Sequence, residues 1–584
     1  MRNKYLYLFM LSTLAVVSCD FMEPELDSTR DESILDEVAY YCGPLNDVYD
    51  NLPNLFDNTM DVMTDNAVKR DESGEYYRCG IGALSPNMNP IGIWSNAYEC
   101  IRNLNIFINR SVLNNDTEYR TPVRFFRFND DNSYQNNLDM FWRLKGEAYG
   151  LRAYWMTELL RNYAGIAESG ELLGVPLVGN VVLEADDNLE IPRATYEDCI
   201  KAILDDCDSA LVKCKLPDRY TGNSVVYGSS FRDHICGAAV KAIRARALLY
   251  YASPAFNPQN DSKRWEDAAN AAAEAIQALG GVNAAFSSRE EYYFTQTDNR
   301  TWKNYDLIMR GKVMTGNSRF EQDNYPPQMY GSALINVSQN FVDAFPDKNG
   351  YPISESMSYD PANPYANRDA RLALFVGYNG GKIGSYVLNT AEDGVDAYNP
   401  LTGTTRSGYY LKKTLRESIV YTLGNFTGTK RTNILYGLPE LLLNYAEAAN
   451  MAWGPSGDPE GYGFTAKDAL RRILTRDNKA AGAQYLDNVI GDDQEKFNGY
   501  VRIQRRIELS FEGHYYYDLR RWYAADPDWE SYINIPVNGI EITTADSGTE
   551  YKTVELEKRH FTSPYQPIPY SEVYNAGIVQ NKGW

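Results

Sequence analysis

Apolar residues recur at helical spacing along most of the chain, which predicts a largely α-helical protein. Between Trp94 and Asn109, the residues Trp94, Ala97, Tyr98, Ile101, Leu104 and Ile108 fall on one face. Asp139 to Tyr163 predicts a longer helix that runs on towards GIAESGELLGVPLV. Thr195, with Asp198 three residues later, is placed to cap the next helix. That helix carries the stripe Cys199, Ile200, Ile203, Leu204, Cys207 and Leu211. Asp233 to Ala252 is alanine-rich, which lets neighbouring helices approach closely. Trp265–Leu279, Pro439–Ala452 and Ala466–Arg476 complete the helical set. Several of these come in pairs, as in HICGAAVKAIRARALLYYA followed by RWEDAANAAAEAIQAL. Such pairs follow the pattern of tetratricopeptide-like repeats, but their spacing is too irregular for the period of about 34 residues to be read directly.

The densest pattern lies from Val501 to Tyr523, VRIQRRIELSFEGHYYYDLRRWY. Ile503, Ile507 and Phe511 recur every fourth residue, which predicts an apolar helical stripe. Arg502, Arg505, Arg506, Arg520 and Arg521 are opposed by Glu508, Glu512 and Asp518. Glu508 and Glu512 suit ion pairing along the helix with Arg505, and Gly513 suits a left-handed terminus. The aromatic run Tyr515, Tyr516, Tyr517, Leu519 and Trp522 predicts a second apolar segment. Arginines matched by carboxylates in this way read as a structural charge lattice, not as catalytic groups.

The chain opens with Arg2 and Lys4, then a mostly apolar stretch from Tyr5 to Val17 that is too short for the ~20 residues a bilayer span needs. It reads as a secretory leader ending in Val16-Val17-Ser18-Cys19, the small-residue site of a bacterial lipoprotein. Residues 1–18 are then the leader, and Cys19 is the acylated first residue of the mature chain. Asp20, Glu23, Glu25 and Asp27 follow it closely. The 584 residues carry a net charge of −21, which argues against a nucleic-acid partner. No Pro/Ser/Gly-rich linker divides them, so residues 19–584 are expected to form one body. Removing Cys19 from the eight cysteines leaves an odd number, so at least one has no partner within the chain. Cys199, Cys207 and Cys214 read as small apolar packing residues.

Catalytic motifs are absent or weak. Gly461-Tyr-Gly463-Phe-Thr-Ala466 imitates a dinucleotide fingerprint, but DPEG and not a strand precedes it, so it reads as a loop before a helix. There is no P-loop, G-x-S-x-G, H-E-x-x-H or complete EF-hand loop. With only three histidines and no C-x-x-C, neither a cofactor nor a metal is expected. Tyrosine is conspicuous, at 46 residues, and offers rigid contact area with a polar tip. Two loop-rich stretches combine such aromatics with polar partners. In Asp65 to Pro90 the candidates are Tyr76 and Tyr77 with Arg70 and Asp65. In Phe294 to Tyr330 they are Trp302, Phe320, Tyr325 and Tyr330 with Arg319 and Asn324. Taken residue by residue, the plainer reading is favoured: each aromatic is a hydrophobic plug in a loop, and Asp65 is a helix cap.

The run RRIELSFEGHYYYDLRRW resembles the R-R-x-E-L-x-F-E-G-x-x-x-x-D-L-x-R-W signature of the SusD/RagB family of surface nutrient-binding lipoproteins of Bacteroidetes-type bacteria. Gln504 stands where the family often has Glu, and His514 where it often has Arg. Further stretches resemble the family in order: LRAYWMTELLRNYAG with GVPLV, IPRATYEDCIKAILDDCDSAL, KAIRARALLYYASPAFNP, SQNFVDAFPDKNGYPI, LPELLLNYAEAAN and the ending QPIPYSEVYNAGIVQNKGW. In that ending Lys582 replaces a common proline.

The resemblance implies a mostly α SusD-like fold of tetratricopeptide-like helix pairs with long irregular loops and a few short strands. It divides the body into an N-terminal helical half (19–280), a loop-rich middle (281–436) and a C-terminal region with the signature (437–584). It implies a non-catalytic, lipid-anchored outer-membrane protein that captures glycan and passes it to a TonB-dependent SusC-like transporter, acting as a lid over the barrel. Residue 65 onward matches the loop after the family's T-D-x-A element, where starch-binding members place stacking aromatics. Peptide capture, as in the RagB branch, is the main alternative. A surface glycosidase and a purely structural subunit are the others. Replacing Cys19 by alanine is expected to release the protein from membranes, read by fractionation; continued membrane association would rule out the lipid anchor.

Overall fold

The chain is described here by a computed structural model covering residues 38–53, 59–110, 125–126, 131–183, 190–294, 305–312, 319–399, 403–422, 424–426, 428, 430–545 and 548–584. The leader, Cys19 and Trp302 lie outside the described residues.

After a helix the sequence reading did not single out, α1 (Val38–Asp50), the predicted helices are present in the order α2 (Trp94–Arg110), α3 (Asp131–Tyr163), α4 (Tyr196–Asp208), α5 (Gly237–Ala252) and α6 (Ser262–Ala278). After a long excursion come α7 (Leu438–Trp453), α8 (Ala466–Asn478), α9 (Gln494–Glu508) and α10 (Tyr515–Tyr523). Thr195 caps α4 by accepting the Asp198 N–H at 3.0 Å. Thr465 opens α8 in a reciprocal capping box with Asp468. The residues before it, including Gly461 and Gly463, form a loop in which Asp458 accepts the N–H groups of Tyr462 and Gly463.

Each helix packs on the next, from α1 through α6. The alanines of α5 and α6 are buried against each other, including Ala239, Ala242, Ala269 and Ala272. Helix α6 then packs on α7 although residues 279–437 separate them in sequence. The excursion is tied at its root, where strand β2 (Leu307–Arg310) pairs antiparallel with β4 (Ile434–Gly437) immediately before α7. Two other pairs matter here. Strand β1 (Ala67–Lys69) pairs antiparallel with β3 (Ile335–Val337), and β5 (Pro536–Ala545) forms a long hairpin with β6 (Gly548–Lys558). The architecture is mostly α-helical with a few short strands, as expected.

The apolar residues form a large core among the helices and a second core inside the excursion. Helix α9 serves both. Phe497, Tyr500 and Val501 enter the first, while Ile507, with Phe511 beyond the helix end, enters the second. The stripe read from the sequence, Ile503, Ile507 and Phe511, thus faces the second core, and the helix as a whole joins the two bodies of packing. All seven described cysteines are free. Burial pushes the thiols of Cys199 and Cys214 up to about 11 and that of Cys207 to about 12, as expected of packing residues.

The charge lattice is present, but its pairings differ from those expected. Arg505 does not pair along its own helix with Glu508 or Glu512. It reaches Asp518 on α10 through two 3.1 Å bonds and Asn444 on α7 at 2.6 Å. Arg521 grips Glu447 on α7 with two 2.7 Å bonds, and Trp522 donates to the same carboxylate. Glu508 turns towards the excursion and receives Arg289, Arg371 and Arg476 at 3.2–3.3 Å. Glu512 pairs with Lys413. Helical spacing alone could not show this, because side chains at a helix end point to whichever neighbour the tertiary fold supplies. Gln504 accepts from Arg371 at 2.6 Å. An amide is sufficient there, since Asp369 and Glu508 already neutralise that arginine. Helix α9 ends at Glu508, earlier than Gly513, and both Phe511 (φ 56°) and Gly513 (φ 75°) adopt left-handed conformations in the turn to α10.

Burial alone would raise the Glu447 carboxyl, but Arg521 and then Arg505 outweigh it and hold the group at about 2. Its contribution to stability is complete above its ordinary value of 4.5 and is lost as pH falls through about 2. Glu447→Gln is expected to cost about 3–5 kcal/mol at neutral pH, because it leaves buried guanidiniums uncompensated. It should also flatten the acid limb of the stability curve. Urea unfolding between neutral pH and pH ~2 checks both, and a variant as stable as the parent at neutral pH would contradict the lattice.

Candidate functional site

The two loop stretches singled out from the sequence meet in the structure, because β1 continues one and β3 closes the other. Beyond the β1–β3 ladder the Arg70 N–H donates to the Leu334 carbonyl at 3.0 Å. Leu334 in turn donates to Asp323 in the short helix Phe320–Asn324. Residues 65–70 and 319–337 therefore form one edge of the molecule.

Within that edge the polar groups nearest the scaffold are engaged by it. Asp65 is only 3% exposed and receives Arg506 at 2.7 Å. Arg506 also donates to Asn66 at 2.7 Å and lies 4.8 Å from the centre of the Tyr515 ring. Arg559 holds the Thr64 and Ala67 carbonyls, and Asp61 accepts from Asn66 and from the Phe511 N–H. Asp65 is thus neither a ligand-binding group nor a helix cap: it anchors this edge to α9.

Three further candidates prove to be internal. Phe320 is buried under the Arg431 guanidinium, 4.3 Å from its ring centre. Asn324 is buried and bridges its own helix to β3, donating to the Phe320 carbonyl and accepting the Ile335 N–H. Tyr325 is fully buried, its hydroxyl donating to the carbonyls of Arg416 and Ile419 at 2.9 and 3.1 Å. These residues cannot stack on a ligand, because the short helix turns them inward.

What remains on the surface is smaller and better defined. Tyr330, in a left-handed turn (φ 62°), is 48% exposed. Its ring lies 6.3 Å from that of Phe426, which is 41% exposed. Phe426 in turn contacts Tyr421 at 5.8 Å, and Tyr421 contacts Tyr325 at 5.8 Å. Two exposed rings thus stand on two buried ones. Tyr325 belongs to the site as the pedestal, not the platform. Arg319 is exposed at the start of the same short helix.

Arg70, Tyr76 and Tyr77 are half-buried. Arg70 lies under the loop at Gly403, where an added Cβ would come within 3.2 Å of its guanidinium. Tyr76 packs on the first core and its hydroxyl points to the Pro90 carbonyl, while Tyr77 packs on the second. Beside Tyr77, Arg406 bridges Glu72 at 2.8 Å and Glu557 of β6 at 2.6 Å. Burial, then the Glu557 and Glu72 charges, push the Tyr77 phenol upward, so it is a neutral hydrogen-bonding group. Sequence reasoning missed Phe426, Arg406 and the exposed Tyr398. Phe426 and Tyr398 lie in Gly- and Asn-containing loops, a signal that was present but shared with many other tyrosines and phenylalanines.

The arrangement offers apolar ring faces for the C–H face of a sugar or for an apolar side chain, beside guanidinium and phenol donors. Among the described residues no cluster of His, Cys, Asp or Glu is placed to hold a metal, and no helix is long and apolar enough to cross a membrane.

A sequence model of the SusD family matches residues 292–584, and one described as starch-binding associating with the outer membrane matches residues 20–227. No curated protein matches the chain in sequence. Among solved structures, a SusD-like protein from Bacteroides fragilis is 21% identical and superimposes with a TM-score of 0.69 over 96% of this chain and 99% of its own. A SusD-like carbohydrate-binding protein from the same species is 18% identical, with a TM-score of 0.68 over 92% and 98%. Surface glycan-binding protein A from Bacteroides fluxus is 15% identical, with a TM-score of 0.56 over 94% and 100%.

Arg506→Ala is expected to lower stability by about 3–5 kcal/mol, since it strands the buried Asp65 carboxylate. Thermal unfolding measures the loss, and an unchanged melting temperature would contradict the anchoring role of this pair.

Proposed function

This chain belongs to the SusD family, and from that premise we propose that it is a surface lipoprotein that captures glycan and hands it to a TonB-dependent SusC-like transporter, with no bond made or broken. The observation that carries the reading is the exposed Tyr330–Phe426 pair on its buried Tyr325–Tyr421 pedestal, at the edge where β1 meets β3. A rigid aromatic pair of this kind presents apolar faces at little conformational cost, which suits the C–H faces of pyranose rings. Arg70 and Tyr77 on the β1 side of this edge and Arg319 on its β3 side are the hydrogen-bonding candidates of the reading, and Tyr76 holds the β1-side segment on the first core.

Delivery fits a lid that opens to load ligand and closes over the barrel for import. The Cys19 lipid would tether the protein at the outer membrane, where more than one acyl chain gives stable anchoring. Near the site Glu72 and Glu557 are engaged by Arg406, Asp65 by Arg506 and Asp71 by Lys69. This is consistent with binding and not hydrolysis, which needs a carboxyl poised to move a proton.

Affinity gels and calorimetry against host, plant and microbial glycans and a peptide mixture test the reading. One glycan class is expected to bind, and the Tyr330→Ala/Phe426→Ala double variant should weaken it by about tenfold, the order of one well-placed ring. Binding of peptides alone would transfer the protein to the peptide-capturing reading. Chain shortening of any bound glycan would overturn the non-catalytic one.

A further inference from the structure

A second cleft lies away from the aromatic pair, between the loop 219–236 that precedes α5 and the strand β2 at the root of the excursion. It encloses about 210 Å³. That is small for a cofactor or a long chain, but in scale with a single sugar residue.

Its chemistry differs from the rest of this acidic protein. Arg219 lines it and donates to the backbone carbonyls of Tyr305 and Leu307 at 2.5 and 3.3 Å. Those acceptors are neutral, so they leave the guanidinium's charge in place. Arg310 also lines the cleft and is ion-paired to Asp233. Beside them sits His234, whose Nδ1 lies 2.9 Å from Glu147. Glu147 is fully buried behind the cleft and also receives Arg143, Tyr49 and Tyr220. That network fixes the imidazole and leaves Nε2 as the nitrogen for a ligand. Burial opposes the charged imidazole, but the Glu147 carboxylate outweighs it and raises the group above its ordinary value, with Arg143 acting against and Asp233 adding to the rise. At the mouth, the Tyr305 ring is 64% exposed, and Thr221 and Ser229 are exposed beside it.

A fixed guanidinium, an imidazole, two hydroxyl groups and an uncovered ring around one cleft are complementary to a carboxylate carried on a pyranose. We propose that this cleft is a second sugar subsite and that it takes an acidic sugar residue, with the carboxylate towards Arg219 and His234 and the ring face on Tyr305. The proposal rests on the capture reading and narrows its ligand to glycans that carry uronic or sialic-type acids. A positive cleft on a chain of net charge −21 would also select for such a residue locally, where the protein as a whole repels it.

The test is calorimetry on the detergent-solubilised protein. The probes are short oligosaccharides of galacturonate, glucuronate and sialate, each beside its methyl ester, with tri-glutamate as a carboxylate that carries no sugar ring. At least one acidic oligosaccharide should bind, and its methyl ester should bind about tenfold more weakly. Tyr305→Ala and His234→Asn should each weaken the acid by a similar factor. They should not change the response to a neutral glycan held at Tyr330 and Phe426. Tyr305 is exposed, so its variant keeps the test valid even if replacing His234 disturbs the Glu147 network. Equal affinity for acid and ester, unaltered binding in Tyr305→Ala, or equal binding of tri-glutamate would each overturn the proposal. So would silence across the acids. If a neutral glycan still binds, that silence removes this subsite alone; if no glycan binds, the capture reading falls with it.

Discussion

Charges buried between helices cannot be left unmatched, and that constraint sets how this molecule is assembled. Glu447 on α7, Arg505 on α9, and Asp518 and Arg521 on α10 satisfy one another only when the three helices hold one relative position. The cost of stranding any member is several kcal/mol, larger than any single surface contact could offset. The lattice therefore acts less as added stability than as a specification of which helices pack, and in what register.

Glu508 extends the same constraint outward. Its three arginines come from the start of the excursion, from the middle of it and from α8. Lys413 from the excursion donates to the Glu508 and Ser510 carbonyls as well as to Glu512. The irregular region is thereby clamped to the helical stack at α9, and Ile507 and Phe511 bury themselves in its separate core. Arg506 continues the line to Asp65 and the β1–β3 edge. A single stretch of some twenty residues, 501–523, thus connects the stack, the excursion and the edge that carries the candidate site.

The two surface features have opposite characters for physical reasons. At the β1–β3 edge the buried charges neutralise each other, as Asp65 and Arg506 do, and the Tyr330 and Phe426 rings stand exposed. In the cleft beside β2, Arg219 is held by neutral carbonyls, and His234 is oriented by a carboxylate that lies behind it. One surface offers ring faces with little net charge; the other offers charge with one ring.

Much of the helical scaffold was legible in the sequence. Periodic apolar residues, the Thr195 cap and the alanine pairs are local signals, and local geometry alone decides them. The signature stretch also disclosed that its charges are structural and that its isoleucines form a stripe. It did not disclose the partners, since Arg505 had Glu508 within helical reach yet meets Asp518 and Asn444. The same limit explains the site. Tyr325 and Tyr330 are alike in sequence, five residues apart, and the turn of one short helix sends the first into the core and leaves the second in solvent. Asp65 looked like a cap because its true partner, Arg506, lies more than four hundred residues away. Periodicity and capping chemistry act over a few residues, so the sequence alone determined the elements and the nature of their faces. Burial and ion pairing act across whatever the fold brings together, so only the tertiary structure decided which aromatic faces water and which carboxylate meets which arginine.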